Sequence, residues 1–98
     1  MSNEFHTISA LTFDAIQAEV IRSQVLHGSN SMMSAALNPS RRLAILVEEV
    51  GEVAKELNET ALGAEADKDK LEKELIQVSA MAASWIETLN MVSSSGHF

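Results

Sequence analysis

The sequence predicts an all-α fold, a three-helix chain whose helical bundle is completed by oligomerisation. Three observations lead there. Punctuation is sparse, with Pro39 the only proline and Gly28, Gly51, Gly63 and Gly96 the only glycines, so long stretches are free to stay helical. Apolar residues recur at steps of three and four, and no stretch alternates as a half-buried strand would. Good capping residues stand where the second and third helical patterns begin, and a glycine where the first ends.

The first helix is expected over about residues 9–26, with Leu11, Ile16, Val20 and Leu26 among its apolar positions and Gly28 as its stop. A polar connection with two methionines follows over 29–38. Asn38 and Ser40 are both N-cap candidates, and Pro39 suits a first turn because its missing N–H has no intrahelical acceptor to lose. The second helix should reach about Ala61. Residues 62–66 read as a turn, and Asp67 can cap a third helix that runs to about Val92. Residues 1–92 thus form one domain, and 93–98, which open Ser-Ser-Ser-Gly, a flexible tail.

The apolar spacing predicts how the last two helices meet. Leu46, Val50, Val53 and Leu57 on helix two face Leu71, Leu75, Val78, Ala82, Trp85, Leu89 and Val92 on helix three, as the seam of a helical hairpin. At about 100° per residue, Glu49, Glu56 and Glu74 flank that seam. Helix three also carries Ile76, Ala80, Ala83 and Ile86 off the seam, and residues 75–86 contain no formal charge. A helix apolar on more than one side is normally covered on more than one side, so a homodimer or homotetramer is expected. Trp85 reads as a core anchor, and Met32, Met33, Met81 and Met91 as adaptable packing.

Composition narrows the function. Seven basic against fourteen acidic residues give a net charge of −7, which disfavours nucleic-acid backbone and anionic lipid as partners. A phosphate substrate would have to arrive with a cation. No cysteine is present, so disulfides and thiolate chemistry are excluded. His6, His27 and His97 are scattered and show no zinc spacing. The N-terminus does not read as a secretory signal and no segment is long and apolar enough for a membrane, which predicts a cytoplasmic protein.

The chemistry lies in two acidic clusters, Glu48-Glu49-Val50-Gly51-Glu52 and Glu74-Leu75-Ile76-Gln77. Residues three apart on a helix occupy adjacent turns of one face, so each cluster can aim two oxygen-bearing side chains at a common point. Mg²⁺ prefers such oxygen ligands and keeps several waters, so a few carboxylates plus substrate phosphates make a complete site. A run of Glu on a helix is most often a solvated face, and that reading suits Glu56, Glu59, Glu65, Glu72 and Glu87. Glu48, Glu49 and Glu52 fit it less well, because three like charges within five residues repel one another.

The run Leu43-Ala44-Ile45-Leu46-Val47-Glu48-Glu49-Val50-Gly51-Glu52-Val53-Ala54, with Leu71-Glu72-Lys73-Glu74-Leu75-Ile76-Gln77-Val78, resembles the MazG-like all-α nucleoside triphosphate pyrophosphohydrolases. Their usual pattern is Glu-x-x-Glu, a spacer, then Glu-x-x-Asp. The likeness covers about half the chain and is weak in helix one, where Glu19, Arg22 and Gly28 carry it. It implies a Mg²⁺-dependent enzyme, with Mn²⁺ as an alternative ion, that splits a nucleoside triphosphate into monophosphate and pyrophosphate. House-cleaning of non-standard nucleotides is the implied role. Position by position, Glu49, Glu52 and Glu74 match metal ligands, Glu48 matches the Glu that commonly precedes the motif, and Gln77 occupies the Asp position. Glu48 or Glu49 would serve as base, and Arg41, Arg42 and Lys73 are candidates to hold phosphate. A helical oligomeric interaction module that has lost turnover is the alternative, motivated by Gln77.

Overall fold

A computed structural model describes residues 5–61 and 67–94. Three helices dominate: α1 over Ala10–His27, α2 over Pro39–Ala61 and α3 over Lys68–Ser94, with one 3₁₀ turn at Gly28–Asn30 and no strand among the described residues. The all-α class is therefore established. Each start follows from its cap. The Ser9 hydroxyl accepts from the Thr12 N–H at 3.3 Å, Asn38 Oδ1 from the Arg41 N–H at 2.8 Å, and Asp67 Oδ1 from the Lys70 N–H at 2.9 Å. Of the two cap candidates for α2, Asn38 takes the role, and Pro39 opens the helix. Gly28 closes α1 at φ 53°, a left-handed conformation that favours glycine, and its N–H bonds the Gln24 carbonyl. Helix α3 runs two residues past the expected end, to Ser94. The expected turn at 62–66 and the tail beyond Ser94 lie outside the described residues.

Helix α3 is central, with α1 on one flank and α2 on the other. The connection between α1 and α2 folds back over them. Within it Ser31, Met32 and Leu37 are buried, and the Met32 carbonyl accepts from the Thr88 hydroxyl on α3 at 3.3 Å. The small core consists of Val20, Met32, Leu37 and Ala80 with the buried polar residues Ser84 and Thr88. Trp85 is only half-buried.

The hairpin seam is the expected one only in part: Leu46 and Val53 on α2 and Leu71, Val78, Ala82 and Trp85 on α3 are half-buried. Val50, Leu57, Leu75 and Leu89 are each about half exposed, at 48%, 51%, 47% and 46%. The inward stripe of α2 instead runs through Arg42, Leu46, Glu49, Val53 and Glu56, and that of α3 through Glu74, Gln77, Ser84 and Thr88. On both helices the more buried direction is turned from the most apolar one, by less than one residue on α2, where Leu46 and Val53 belong to both stripes. Glu49 and Glu56, expected to flank the contact, belong to it. The expectation assumed that the most apolar stripe faces inside one chain, whereas the most buried residues of α3 are Ala80, Ser84 and Thr88.

The radius of gyration is 16.0 Å, against about 13 Å for a compact domain of this length. The solvent-accessible surface is 7391 Å², against roughly 5,500 Å² for a monomeric protein of this mass. Leu43, Val47, Val50 and Leu57 form an exposed apolar stripe along α2.

Candidate functional site

The inward turn of α2 and α3 brings the two acidic clusters together. Glu49, Glu74 and Gln77 are each half-buried. With its nitrogen turned to the carboxylates, the Gln77 amide donates to Glu74 Oε2 at 3.1 Å and to Glu49 Oε2 at 3.2 Å. The reverse orientation would set the amide oxygen against carboxylate oxygens, so the hydrogen-bond network assigns the nitrogen to this side. Glu74 and Gln77 lie one turn apart on α3, and Glu49 reaches them from α2. Helical spacing accounts for Glu74 with Gln77, whereas Glu49 joins them through the packing of α2 on α3, and Glu52, its expected companion, does not.

The electrostatics are those of crowded like charges. Burial raises the Glu49 pKa above its ordinary 4.5, and the carboxylates of Glu74, Glu48, Glu52 and Glu19 raise it further, in that order. Glu48 and Glu52 are exposed on α2, within electrostatic reach of Glu49 but outside the Gln77 hydrogen bonds. Among the described residues no three Asp, Glu or His side chains already stand close enough together to cage a metal ion. Two carboxylates and an amide oxygen nevertheless form a hard donor set, and Mg²⁺ typically takes one or two protein carboxylates and completes its shell with water and phosphate. The residues fit Mg²⁺ on those terms.

The phosphate candidates separate. Arg42 is 3% exposed, and its guanidinium is fully engaged: Nε donates to the Leu37 carbonyl at 2.9 Å, Nη1 to the Met32 carbonyl and Nη2 to the Ser34 carbonyl. This corrects the expectation for Arg42. It is a clamp on the α1–α2 connection, because burying a guanidinium requires carbonyl acceptors for its fork of donors. Arg41 is exposed in the first turn of α2. Lys73 is exposed and lines an open cavity of about 360 Å³ between α1 and α3 with Glu19, Arg22, Glu72, Asp69 and Ile76.

Glu19 and Arg22 of α1, which carried the weak likeness in helix one but were given no role, stand beside the acids. Arg22 grips Glu19 through both carboxylate oxygens, at 2.8 and 2.6 Å. Glu19 also lines a narrow cleft with Gln77, Ser23 and Ser84, so it stands between the Lys73 cavity and the α2–α3 acids. The i,i+3 spacing of Glu19 and Arg22 was readable as an ion pair. Its orientation toward α3 was not, because α1 lacks a strong apolar face to fix its rotation. Ala10–His27 carries exposed Leu11, Phe13, Ile21, Val25 and Leu26 on several sides.

Among the described residues no helix is long and apolar enough to cross a membrane. No family model, curated protein or solved structure matches the chain.

Proposed function

We propose that this chain is a Mg²⁺-dependent nucleotide pyrophosphohydrolase that works as a homo-oligomer and cleaves a nucleoside triphosphate to monophosphate and pyrophosphate. The observation that carries the reading is the meeting of Glu49 and Glu74, from two different helices, at Gln77, with the Glu48, Glu52 and Glu19 charges around them. Such crowding is unfavourable in the chain alone and is relieved by a divalent cation. Glu49, Glu52 and Glu74 would hold the ion, with Gln77 contributing its amide oxygen. The cation would neutralise phosphate charge and make an attacking water more acidic.

The chain's own residues supply the rest. Glu48 or Glu49 would accept the water's proton, and a carboxylate whose proton affinity is raised by its surroundings is the better base. Lys73 and Arg41, both exposed, would hold phosphate oxygens. A second copy of the chain would cover the α2 stripe of Leu43, Val47, Val50 and Leu57. Non-standard nucleotides are the substrate class that the MazG-like resemblance favours.

The test is pyrophosphate release from a panel of nucleoside triphosphates with and without Mg²⁺, in the native chain and in Glu52→Gln. Mg²⁺-dependent release that disappears in the variant is expected. No release from any nucleotide, together with no effect of Mg²⁺ on melting, would overturn the enzyme. The second reading, a catalytically silent helical interaction module, would then stand; it is favoured by Gln77, whose amide already partners both carboxylates.

A further inference from the structure

Carboxylates that meet without a cation need something else between them. Glu49 and Glu74 come from different helices and point their Oε2 atoms at one side chain, Gln77. An aspartate at 77 could only accept, and would add a third negative charge to the contact. A primary amide differs in kind, because it has two N–H donors at one end and an acceptor oxygen at the other. Half a turn about its last bond exchanges one for the other with little change of shape. With the nitrogen assigned to the carboxylate side, it falls 3.1 and 3.2 Å from the two carboxylate oxygens, so both donors can be engaged at once, one toward α2 and one within α3. Hydrogen bonds to ionised acceptors are the stronger kind.

We propose that Gln77 is a positioning residue with two working orientations: its NH₂ group bridges Glu49 and Glu74 while no cation is bound, and a half-turn of the amide presents its oxygen when one is. The second half rests on the metal reading above; the first stands on the contact alone. The consequence is a site assembled before the ion arrives. With aspartate in the same position the acids would repel until a cation joined them, and closure of α2 on α3 would depend on metal. The amide makes that closure independent of the ion at the expense of one negative charge in the donor set.

The experiment compares the full chain with Gln77→Asp and with the uncharged, donor-free Gln77→Met by thermal melting in EDTA and in Mg²⁺. It adds hydrogen exchange of the Gln77 side-chain NH₂ by ¹⁵N NMR of the native chain. In EDTA, Gln77→Asp should melt lower by about 5 °C or more and Gln77→Met by a smaller margin, on the usual scaling for a domain of this size. Mg²⁺ should return most of the loss to Gln77→Asp and none to Gln77→Met. The native NH₂ protons should exchange slowly in EDTA and faster with Mg²⁺. Equal melting of all three proteins in EDTA, or an NH₂ group that exchanges as freely as that of an exposed glutamine, overturns the bridge. A slow NH₂ group that Mg²⁺ leaves slow, in a native chain whose melting Mg²⁺ raises, overturns the second orientation while the bridge and the metal reading hold. If Mg²⁺ moves neither the NH₂ exchange nor the melting of the native chain, the second orientation falls with the metal reading. Because the NMR measurement uses the native chain, the bridge remains testable if a variant does not fold.

Discussion

Arg42, Glu49 and Glu56 occupy one stripe of α2 at seven-residue intervals, and the fold treats the ends of that stripe differently from its middle. At one end, each nitrogen of the Arg42 guanidinium donates to a backbone carbonyl. At the other, buried Glu56 meets Lys70 Nζ at 3.1 Å. In the middle, Glu49 faces four other carboxylates, and the Gln77 amide is the neutral group between it and Glu74. A charge given opposite or dipolar partners holds a structure together. One surrounded by its own kind is held there by the rest of the fold, and such groups cluster at functional sites.

The comparison breaks most visibly at Arg42. Arg42→Met leaves three connection carbonyls without their charged donor and should cost about 3 kcal/mol or more in chemical denaturation. A loss below about 1 kcal/mol would mean that the clamp is not structural.

Glu49→Gln tests the middle of the stripe and should act in the opposite sense on stability. Pyrophosphate release should fall about 100-fold or more, as for loss of a positioned acid or base. The folded pKa of Glu49 lies above the ordinary 4.5, so the native state binds the proton more tightly than the unfolded chain. Its contribution to stability is therefore greatest in acid and declines as pH rises from the unfolded value through the folded one. Glu49→Gln should melt higher than the native chain at pH 7, and the gain should fade below pH 4.5, where both states are protonated. Lower melting of the variant at pH 7 would show that the carboxylate is compensated.

The exposed stripe sharpens the comparison from outside. Val50→Lys with Leu57→Lys puts two charges on the apolar face, and light scattering should find the chain shifted to monomer. An unchanged mass would place the oligomeric contact elsewhere. On the same helix, a Cβ at Gly51 would meet nothing within 4 Å. Gly51→Ala should accordingly raise stability by about 0.5–1 kcal/mol, the helix-propensity difference. The smallest effect is expected at Lys70, which is exposed although its partner is buried. Lys70→Ala should move the melting temperature by only a few degrees.

The sequence by itself determined the three helices and where they start, because those depend on neighbours in the chain. Ser9, Asn38 and Asp67 cap the helices, Pro39 opens α2 and Gly28 closes α1. It also paired Glu49 with Glu52 and Glu74 with Gln77, since i,i+3 spacing is a property of a single helix, but the meeting of Glu49 with Glu74 and Gln77 is tertiary. Only the tertiary structure decided which way those helices turn. Apolar periodicity marks the stripe that must be covered but does not say by which chain. The inward places went to Arg42, Glu49, Glu56, Ser84 and Thr88, while Val50, Leu57, Leu75 and Leu89 were left half exposed. The role of Arg42 was hidden for the same reason. Its acceptors are carbonyls of Met32, Ser34 and Leu37, and no side-chain pattern records where a connecting segment will aim its backbone.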